Sequence, residues 1–333
     1  MNAAFFDVDG NEQRFFTSKL SKSLRLKFYK EPISEVDPKE IKDIKIASGF
    51  IYSKFPKEQL EKLPKLKFIS TQSTGFDHID LKYCKFKGIK VSNVPEYGSN
   101  TVAEHAFALI LALAKRLPES ISRVKSGIFN PEGLTGFDLK NKTIGVVGVG
   151  KIGKNVIKIA KGFGMKVIAF DLYPNKELEK FLNFSYTTFN DVLLKSDIIS
   201  FHCPISAENK HILNKSALEK TKKGVLIVNT SRGGLIDNYA LHAYLENGHL
   251  GGVALDVLEG ENNLKEEREL LSKGKTKGVD FKLLAENHVL INHPRVIVTP
   301  HNAFNSKESL QRILNTTVEN ISSFLIGSPI NIV

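Results

Sequence analysis

The run Thr143-Ile-Gly-Val-Val-Gly-Val-Gly-Lys-Ile-Gly153 constrains the fold of this chain more than any other segment. Residues 143–147 have the pattern of a buried strand and run straight into Gly148-x-Gly150-x-x-Gly153. An amphipathic helical stretch follows, and a second strand-like run, 166–170, closes on Asp171. Each glycine has a separate task in such a unit. The first permits a tight turn, the second lets the backbone approach a pyrophosphate, and the third lets helix and strand pack closely. The helix N-terminus then offers its first N–H groups to phosphate oxygens. Asp171 stands where an acid accepts ribose hydroxyls and repels a 2′-phosphate, which predicts NAD rather than NADP. A glycine triplet alone would be a weak signal. Here strand, helix and acid stand around it in the required order. The turn also comes well into the chain, so a separate segment precedes the unit it opens.

A length of 333 residues suggests two domains, and 41% apolar with 25% charged residues is ordinary globular composition. The only cysteines are Cys84 and Cys203, so no disulfide framework is indicated and a reducing cytoplasm is the simplest compartment. The first residues carry no basic segment followed by an apolar run, so no signal peptide is expected. The most apolar stretch, 103–113, is interrupted by Glu104 and His105, so no membrane span is expected. The formal charge of +11 raises the possibility of nucleic acid. The lysines are dispersed and mostly interleaved with acids, with no aromatic–basic stacking pattern and no zinc spacing, so neither nucleic acid nor a metal is expected. A positive field would instead help collect a small anionic substrate.

The first hundred residues read as a small α/β unit, with strands at 43–49, 67–70 and 89–94 and lysine-rich helical stretches between them, such as 56–63. Residues 101–116 read as a long, largely buried helix closed by a basic pair. From Thr143 onward the pattern is β-α-β-α-β, with strands at 143–147, 166–170, 198–202, 225–229, 252–255 and 296–298. These are continuous apolar runs, the mark of a parallel sheet covered on both faces. Helices are expected at 240–247, capped by Asp237, and at 306–324. Residues 262–292 form a charge-rich excursion with no recognisable chemistry.

Three segments follow predicted strands, where ligands gather in open α/β sheets. They are Val228-Asn-Thr-Ser-Arg-Gly-Gly-Leu-Ile-Asp237, Ala254-Leu-Asp-Val-Leu-Glu-Gly-Glu261 and Ile297-Val-Thr-Pro-His-Asn-Ala-Phe304. Together they supply Arg232, Glu261 and His301, a set suited to reducing a 2-keto acid. A guanidinium fork matches a carboxylate and stays charged. An imidazole near neutrality can give or take the proton of the alkoxide. A carboxylate behind the ring would orient it and favour its proton-donating form. Bland alternatives exist for each: a structural ion pair for Arg232, a solvated loop acid for Glu261 with Glu259 as competitor, and a satisfied loop histidine for His301. His105 reads as packing within its helix and His202 as lining the cofactor side, while the other histidines carry no signal.

These segments, with the glycine turn and Ser73-Thr-Gly-Phe-Asp-His-Ile-Asp80, resemble the D-isomer-specific 2-hydroxyacid dehydrogenases over about residues 65 to 320. Asn93-Val-Pro-Glu-Tyr97, Glu259-Gly-Glu261 and His301-Asn-Ala-Phe304 look most like the D-lactate dehydrogenase branch. The resemblance implies two Rossmann-like domains. A doubly wound NAD domain, 101–302, is inserted into a smaller flavodoxin-like substrate domain built from 1–100 and 303–333, with the active site in the cleft between them. It favours Glu261 over Glu259 through the step from Asp256. It implies that Thr74 and Gly75 meet the substrate carboxylate through backbone groups, and that Tyr97 and Phe304 line the pocket. On the cofactor side it implies Lys151 and Ile152 at the pyrophosphate, Cys203 and Pro204 beside the adenosine half with Asn209 nearby, and Thr230 and Asp256 toward the nicotinamide. Cys203 reads as an apolar liner rather than a nucleophile. The implied activity interconverts a 2-keto acid and a D-2-hydroxy acid, pyruvate and D-lactate first, with glyoxylate, hydroxypyruvate or branched keto acids as alternatives. An NAD-sensing corepressor on the same fold is the reading from another class. A homodimer is implied, with the helix from Thr101 as its candidate surface. The stretch between Glu261 and His301 is longer than in many family members.

Overall fold

The computed structural model describes residues 1–261, 264 and 280–333. The chain forms two compact units, residues 1–97 with 305–333, and residues 98–304.

The first unit holds β1 (Asn2–Phe5), β2 (Arg25–Phe28), β3 (Ile46–Gly49), β4 (Phe68–Thr71) and β5 (Lys90–Ser92), paired in parallel in the order β2-β1-β3-β4-β5. β3 and β4 are buried along their whole length. Helices therefore cover both faces of the sheet, as its continuous apolar runs require. One face carries Ile33, Ile41, Leu60 and Leu63, and the other Phe16 and Leu20 with the helix Lys307–Leu325. Phe324 of that helix stacks on Phe68 of β4 with ring centroids 4.4 Å apart. β1 and β2 escape a reading of the sequence. β1 is only four residues long. β2 is an edge strand whose Arg25 and Lys27 are exposed.

The second unit holds β6 (Thr143–Val147), β7 (Lys166–Phe170), β8 (Ser185–Tyr186), β9 (Ile198–Phe201), β10 (Val225–Asn229), β11 (Leu250–Leu255) and β12 (Val296–Val298). All pairs are parallel, in the order β12-β11-β10-β9-β6-β7-β8, so the winding reverses at β6. One face packs Val146, Val228 and Ala254 against the helices Ser99–Ala114 and Lys151–Gly162. The other packs Phe201, Ile227 and Leu255 beneath Leu241 and Leu245 of the helix Asn238–Glu246. Asp237 caps that helix by accepting from the N–H groups of Tyr239 and Ala240.

The helix expected over 101–116 ends at Ala114, because Arg116 turns to a left-handed φ of 50° and starts a second helix, Leu117–Lys125, with a proline in its first turn. The basic pair therefore does not close the first helix. Lys115 pairs with Asp138 and Arg116 with Glu119. Most of the charge-rich excursion lies outside the described residues. Its end forms the helix Phe281–Asn292, which packs on Asn238–Glu246 and is pinned there by Asn238 Nδ2 donating to Asn287 Oδ1 at 2.8 Å.

Candidate active site

Strand register builds the site. In the second unit Phe170 pairs with Val147, Val147 with Phe201, Phe201 with Asn229, Asn229 with Leu255, and Leu255 with Val298. The next residue of each strand falls in one row along the carboxyl edge: Asp171, Gly148, His202, Thr230, Asp256 and Thr299. Main-chain bonds extend the ladder into that row. Gly148 N–H donates to Phe170 O at 2.8 Å, His202 to Val147 O at 2.7 Å, Asp256 to Asn229 O at 2.9 Å and Thr299 to Leu255 O at 3.0 Å. With a period of two, these side chains emerge on the same face as Ala169, Val228, Ala254 and Ile297, the face covered by Ser99–Ala114 and Lys151–Gly162.

The glycine turn is shaped by contact. Gly148 has φ +94°, and a Cβ there would lie 2.7 Å from Cys203 N. A Cβ on Gly153 would lie 2.1 Å from Gly148 O, so the helix can approach β6 only as glycine. Gly150 has open space where its Cβ would be, and it caps the helix with no side-chain hydrogen bond. Asp171 accepts from Val149 N–H at 2.7 Å and from Tyr173 N–H at 2.8 Å, which ties the carboxylate to the turn. Beside the turn, Thr230 Oγ1 and His202 Nδ1 are buried with no partner. An open backbone, an uncapped helix start, an oriented acid and two unsatisfied polar atoms fit a dinucleotide. Burial depresses His202 to about 3, so it stays neutral, its Nε2 2.8 Å from Ser200 Oγ. Burial likewise pushes the half-buried Cys203 thiol up to about 11, which suits a liner and not a nucleophile. Pro204 is exposed, and Asn209 closes the loop behind it by donating to Pro204 O and accepting from Ser206 N–H.

Asp256 is a hub. It is almost wholly buried and accepts from Asn302 N–H at 2.8 Å, Ala303 N–H at 2.9 Å and the Thr299 hydroxyl. Its main-chain carbonyl takes His301 N–H at 2.9 Å. Burial raises its carboxyl, but hydrogen bonds from His105, Thr299 and the two main-chain groups outweigh this and hold it below the ordinary value. His105, read from sequence as packing within its helix, sits with Nε2 3.2 Å from Thr299 Oγ1 and 3.5 Å from Asp256 Oδ1. The only signal for it was a polar pair inside an apolar helix. Together these bonds fold the turn that carries His301.

His301 has φ +53°, a left-handed conformation that is costly for a residue with a Cβ and is held by those bonds. Its Nδ1 lies 2.7 Å from Glu261 Oε1, with the two side chains 22% and 24% exposed. Glu259, the competitor, is taken elsewhere. It pairs with His211 at 2.7 Å and Lys210 at 3.2 Å, and those partners outweigh burial to lower its carboxyl. Arg232 is placed by Asn229, whose side chain accepts from Ser231 N–H at 2.9 Å and donates to Arg232 O at 2.8 Å. Next to it, a Cβ on Gly233 would come 2.1 Å from Leu258 C, so the Arg232 turn lies directly against the loop leading to Glu261. Phe304 follows the buried Ala303, half-buried itself.

In the first unit, Thr74 and Gly75 stand in the loop after β4. Their N–H groups donate to no acceptor among the described residues. The Thr74 hydroxyl donates to Val94 O at 2.7 Å and the Ser73 hydroxyl to Gly75 O at 2.6 Å. Tyr97 is half-buried, and its carbonyl accepts from Arg312 Nε at 2.7 Å.

Among the described residues no helix is long and apolar enough to cross a membrane. Residues 107–303 match the family model for the D-isomer specific 2-hydroxyacid dehydrogenase NAD binding domain. The chain is 37% identical to the D-lactate dehydrogenase of Escherichia coli strain K12 over 308 residues, 91% of this chain and 90% of that protein. It is 41% identical to 2-hydroxyacid dehydrogenase homolog 1 of Schizosaccharomyces pombe over 278 residues, 83% and 81% of the two chains. A crystal structure of Aquifex aeolicus D-lactate dehydrogenase, complexed with NAD and lactic acid, superimposes with a TM-score of 0.88 at 37% identity, covering 98% of this chain and 96% of that one. With its parallel sheets, glycine turn and His301–Glu261 pair, this chain belongs to the D-isomer-specific 2-hydroxyacid dehydrogenases, as an NAD-dependent enzyme of the D-lactate dehydrogenase branch.

Proposed function

We propose that the enzyme interconverts pyruvate and D-lactate, with His301 as acid and base. The observation that carries this reading is the 2.7 Å contact between His301 Nδ1 and Glu261 Oε1. It commits one ring nitrogen to the carboxylate and leaves Nε2 as the atom that gives a proton to the forming alkoxide, or removes it in the oxidation direction. Arg232 binds the substrate carboxylate as a planar fork and polarises the carbonyl. Thr74 and Gly75 offer two main-chain N–H groups to the same class of anion, and Tyr97 in the first unit and Phe304 in the second are candidate substrate contacts.

NAD(H), when bound, supplies or accepts the hydride. Gly148, Gly150, Gly153 and the N–H groups of Lys151 and Ile152 would hold its pyrophosphate, and Asp171 its ribose. Cys203, Pro204 and Asn209 would flank the adenosine half, and Thr230 the nicotinamide end. Asp256, a buried brace of the turn that carries His301, would also lie toward the nicotinamide. The excess positive charge of the chain helps collect the anionic substrate.

The enzyme is proposed to act as a homodimer. The helix Ser99–Ala114 buries Val102, Ala103, Ala106, Phe107, Leu109 and Ile110 within its own unit, which leaves it little apolar face for a partner. The next helix instead exposes Leu117, Ile121 and Val124, followed by Ile128 and Phe129, the last 92% exposed. The two unpaired thiols suit a reducing cytoplasm.

Loss of NADH absorbance with a series running from glyoxylate through pyruvate to 2-ketoisocaproate tests the proposal. The expected maximum of kcat/KM is at pyruvate. A maximum at glyoxylate or at the branched acid would reassign the substrate, and NADH binding without turnover on any of them would remove the reaction.

A further inference from the structure

We propose that a relay of asparagine side chains in the first unit aims the Thr74 and Gly75 N–H groups and thereby sets the affinity for the keto acid. The inference rests on reading those two groups as carboxylate donors. The relay starts at Asn331, whose Nδ2 donates to Asn320 Oδ1 at 2.8 Å. Asn320 Nδ2 donates to Asn93 O at 2.8 Å, and Asn93 Nδ2 donates to Thr74 O at 2.8 Å. Asn93 N–H returns to Asn331 O at 3.1 Å, which closes the network.

Asn320 is fully buried in the helix Lys307–Leu325, and Asn93 is nearly so. A buried amide is costly unless its ends are bonded, and Asn320 uses both of its ends to hold Asn331 and Asn93 in place. Arg312 of the same helix holds Tyr97 O, so one helix grips both ends of the segment 93–97. Residues 330–333 are themselves fastened beside β5. The Ser92 hydroxyl donates to Ile330 O at 2.6 Å and Val333 N–H to Val91 O at 3.0 Å.

The effect on the loop follows from the planarity of the peptide. In a trans peptide the carbonyl and the following N–H point in opposite directions. Asn93 Nδ2 fixes Thr74 O, so it also turns Gly75 N–H away from Asn93. Val94 N–H fixes Ser73 O at 3.0 Å, and so turns Thr74 N–H the same way. These are the two N–H groups that donate to nothing among the described residues. The direction of both donors is therefore inherited from Asn93 and Val94, and the place of Asn93 from Asn320 and Asn331. None of the three asparagines is proposed to touch the substrate; they are positioning residues.

The test is steady-state kinetics on the full chain with three variants. Asn320→Leu and Asn93→Leu each break one link. Asn331→Gly removes the outermost amide while tolerating its left-handed φ of 52°, so it threatens the fold least. Asn320→Leu and Asn93→Leu should raise KM for the keto acid by about tenfold, and Asn331→Gly by about two- to threefold, with KM for NADH within about twofold of wild type. The double variant Asn93→Leu/Asn320→Leu should be no worse than the worse single one, because the two links are in series. A merely structural role would lower the melting temperature and move both KM values together, and that result overturns the proposal. So does an unchanged keto-acid KM in folded Asn93→Leu and Asn331→Gly. Hydrogen exchange at the Asn93 and Val94 amides provides a readout independent of turnover, and it should accelerate in Asn320→Leu. If exchange accelerates while keto-acid KM stays put, Thr74 and Gly75 are not the carboxylate donors. If exchange is unchanged, the relay itself is refuted.

Discussion

At the scale of single residues, the site depends on which of several similar groups has been given a partner. Glu259 and Glu261 stand two positions apart, and both are accessible enough to act. Only Glu261 meets the imidazole of His301, while Glu259 is bound to Lys210 and His211. Glu261→Gln should therefore lower kcat by about 10²-fold or more, by analogy with loss of a general acid–base partner. Glu259→Gln should cost less than about threefold, as expected for partly exposed pairs. Equal losses would refute this division of labour. His202 carries a second prediction. Its folded value of about 3 lies below the ordinary 6.5, so between those values the unfolded chain takes up a proton that the folded chain refuses. Stability should fall as pH drops below 6.5, and His202→Asn should make that fall shallower. Denaturant titrations over a pH series check this, and parallel curves for the two proteins would contradict it. The types of residue at the site were legible in the chain, because Arg232, Glu261 and His301 each follow an apolar run. The role of Asp256 was not. Its partners, His105, Thr299, Asn302 and Ala303, come from distant segments that meet only when β11 lies beside β12 and the helix Ser99–Ala114 packs on β11.

At the scale of elements, the glycine turn separates two requirements that a motif merges. A Cβ on Gly153 would collide with the carbonyl of Gly148, whereas a Cβ on Gly150 would meet nothing in the protein. Gly153→Ala should push the helix Lys151–Gly162 off β6 and destabilise the fold by about 1–3 kcal/mol, as overpacking does. Gly150→Ala should leave the melting temperature close to wild type and weaken NADH binding by about tenfold, because only the approaching pyrophosphate meets the new methyl. Thermal melts and fluorescence titration with NADH distinguish the two. A Gly150→Ala protein that binds NADH normally would show that the backbone does not approach the cofactor there. Strands such as β6, β7 and β10 could be bounded from sequence because their apolar runs are continuous and end in polar or glycine residues. β1 and β2 could not, since four residues carry too little periodicity to separate strand from helix, and β2 at the sheet edge alternates exposed and half-buried residues. The break at Arg116 has a local mark in Pro118, which lacks the N–H that a continuous helix would bond to Ala114, and Arg116 takes the left-handed backbone that starts the next helix.

At the scale of the molecule, the exposed apolar residues on and after the helix Leu117–Lys125 form a cluster along the chain that a single copy leaves unexplained. If that surface joins two copies, Ile121→Asp combined with Phe129→Asp should shift the sedimentation coefficient to that of a monomer while leaving the fold of each unit intact. A dimer that survives the double substitution would place the interface elsewhere. Two further properties of the chain follow from short stretches of sequence. The order strand, glycine turn, helix, strand and acid is local, and local steric rules suffice to make it a dinucleotide-binding unit. The apolar runs that end in Arg232, Glu261 and His301 are local too, and they announced a keto-acid chemistry. Hydrogen bonds between distant segments are not local. Which glutamate orients His301, which acid braces the turn beneath it, and which amides aim Thr74 and Gly75 all depend on strand register and on helices packed from other parts of the chain. Those choices belong to the tertiary structure, because a side chain acquires its partner only when the backbone has brought the two within hydrogen-bonding distance.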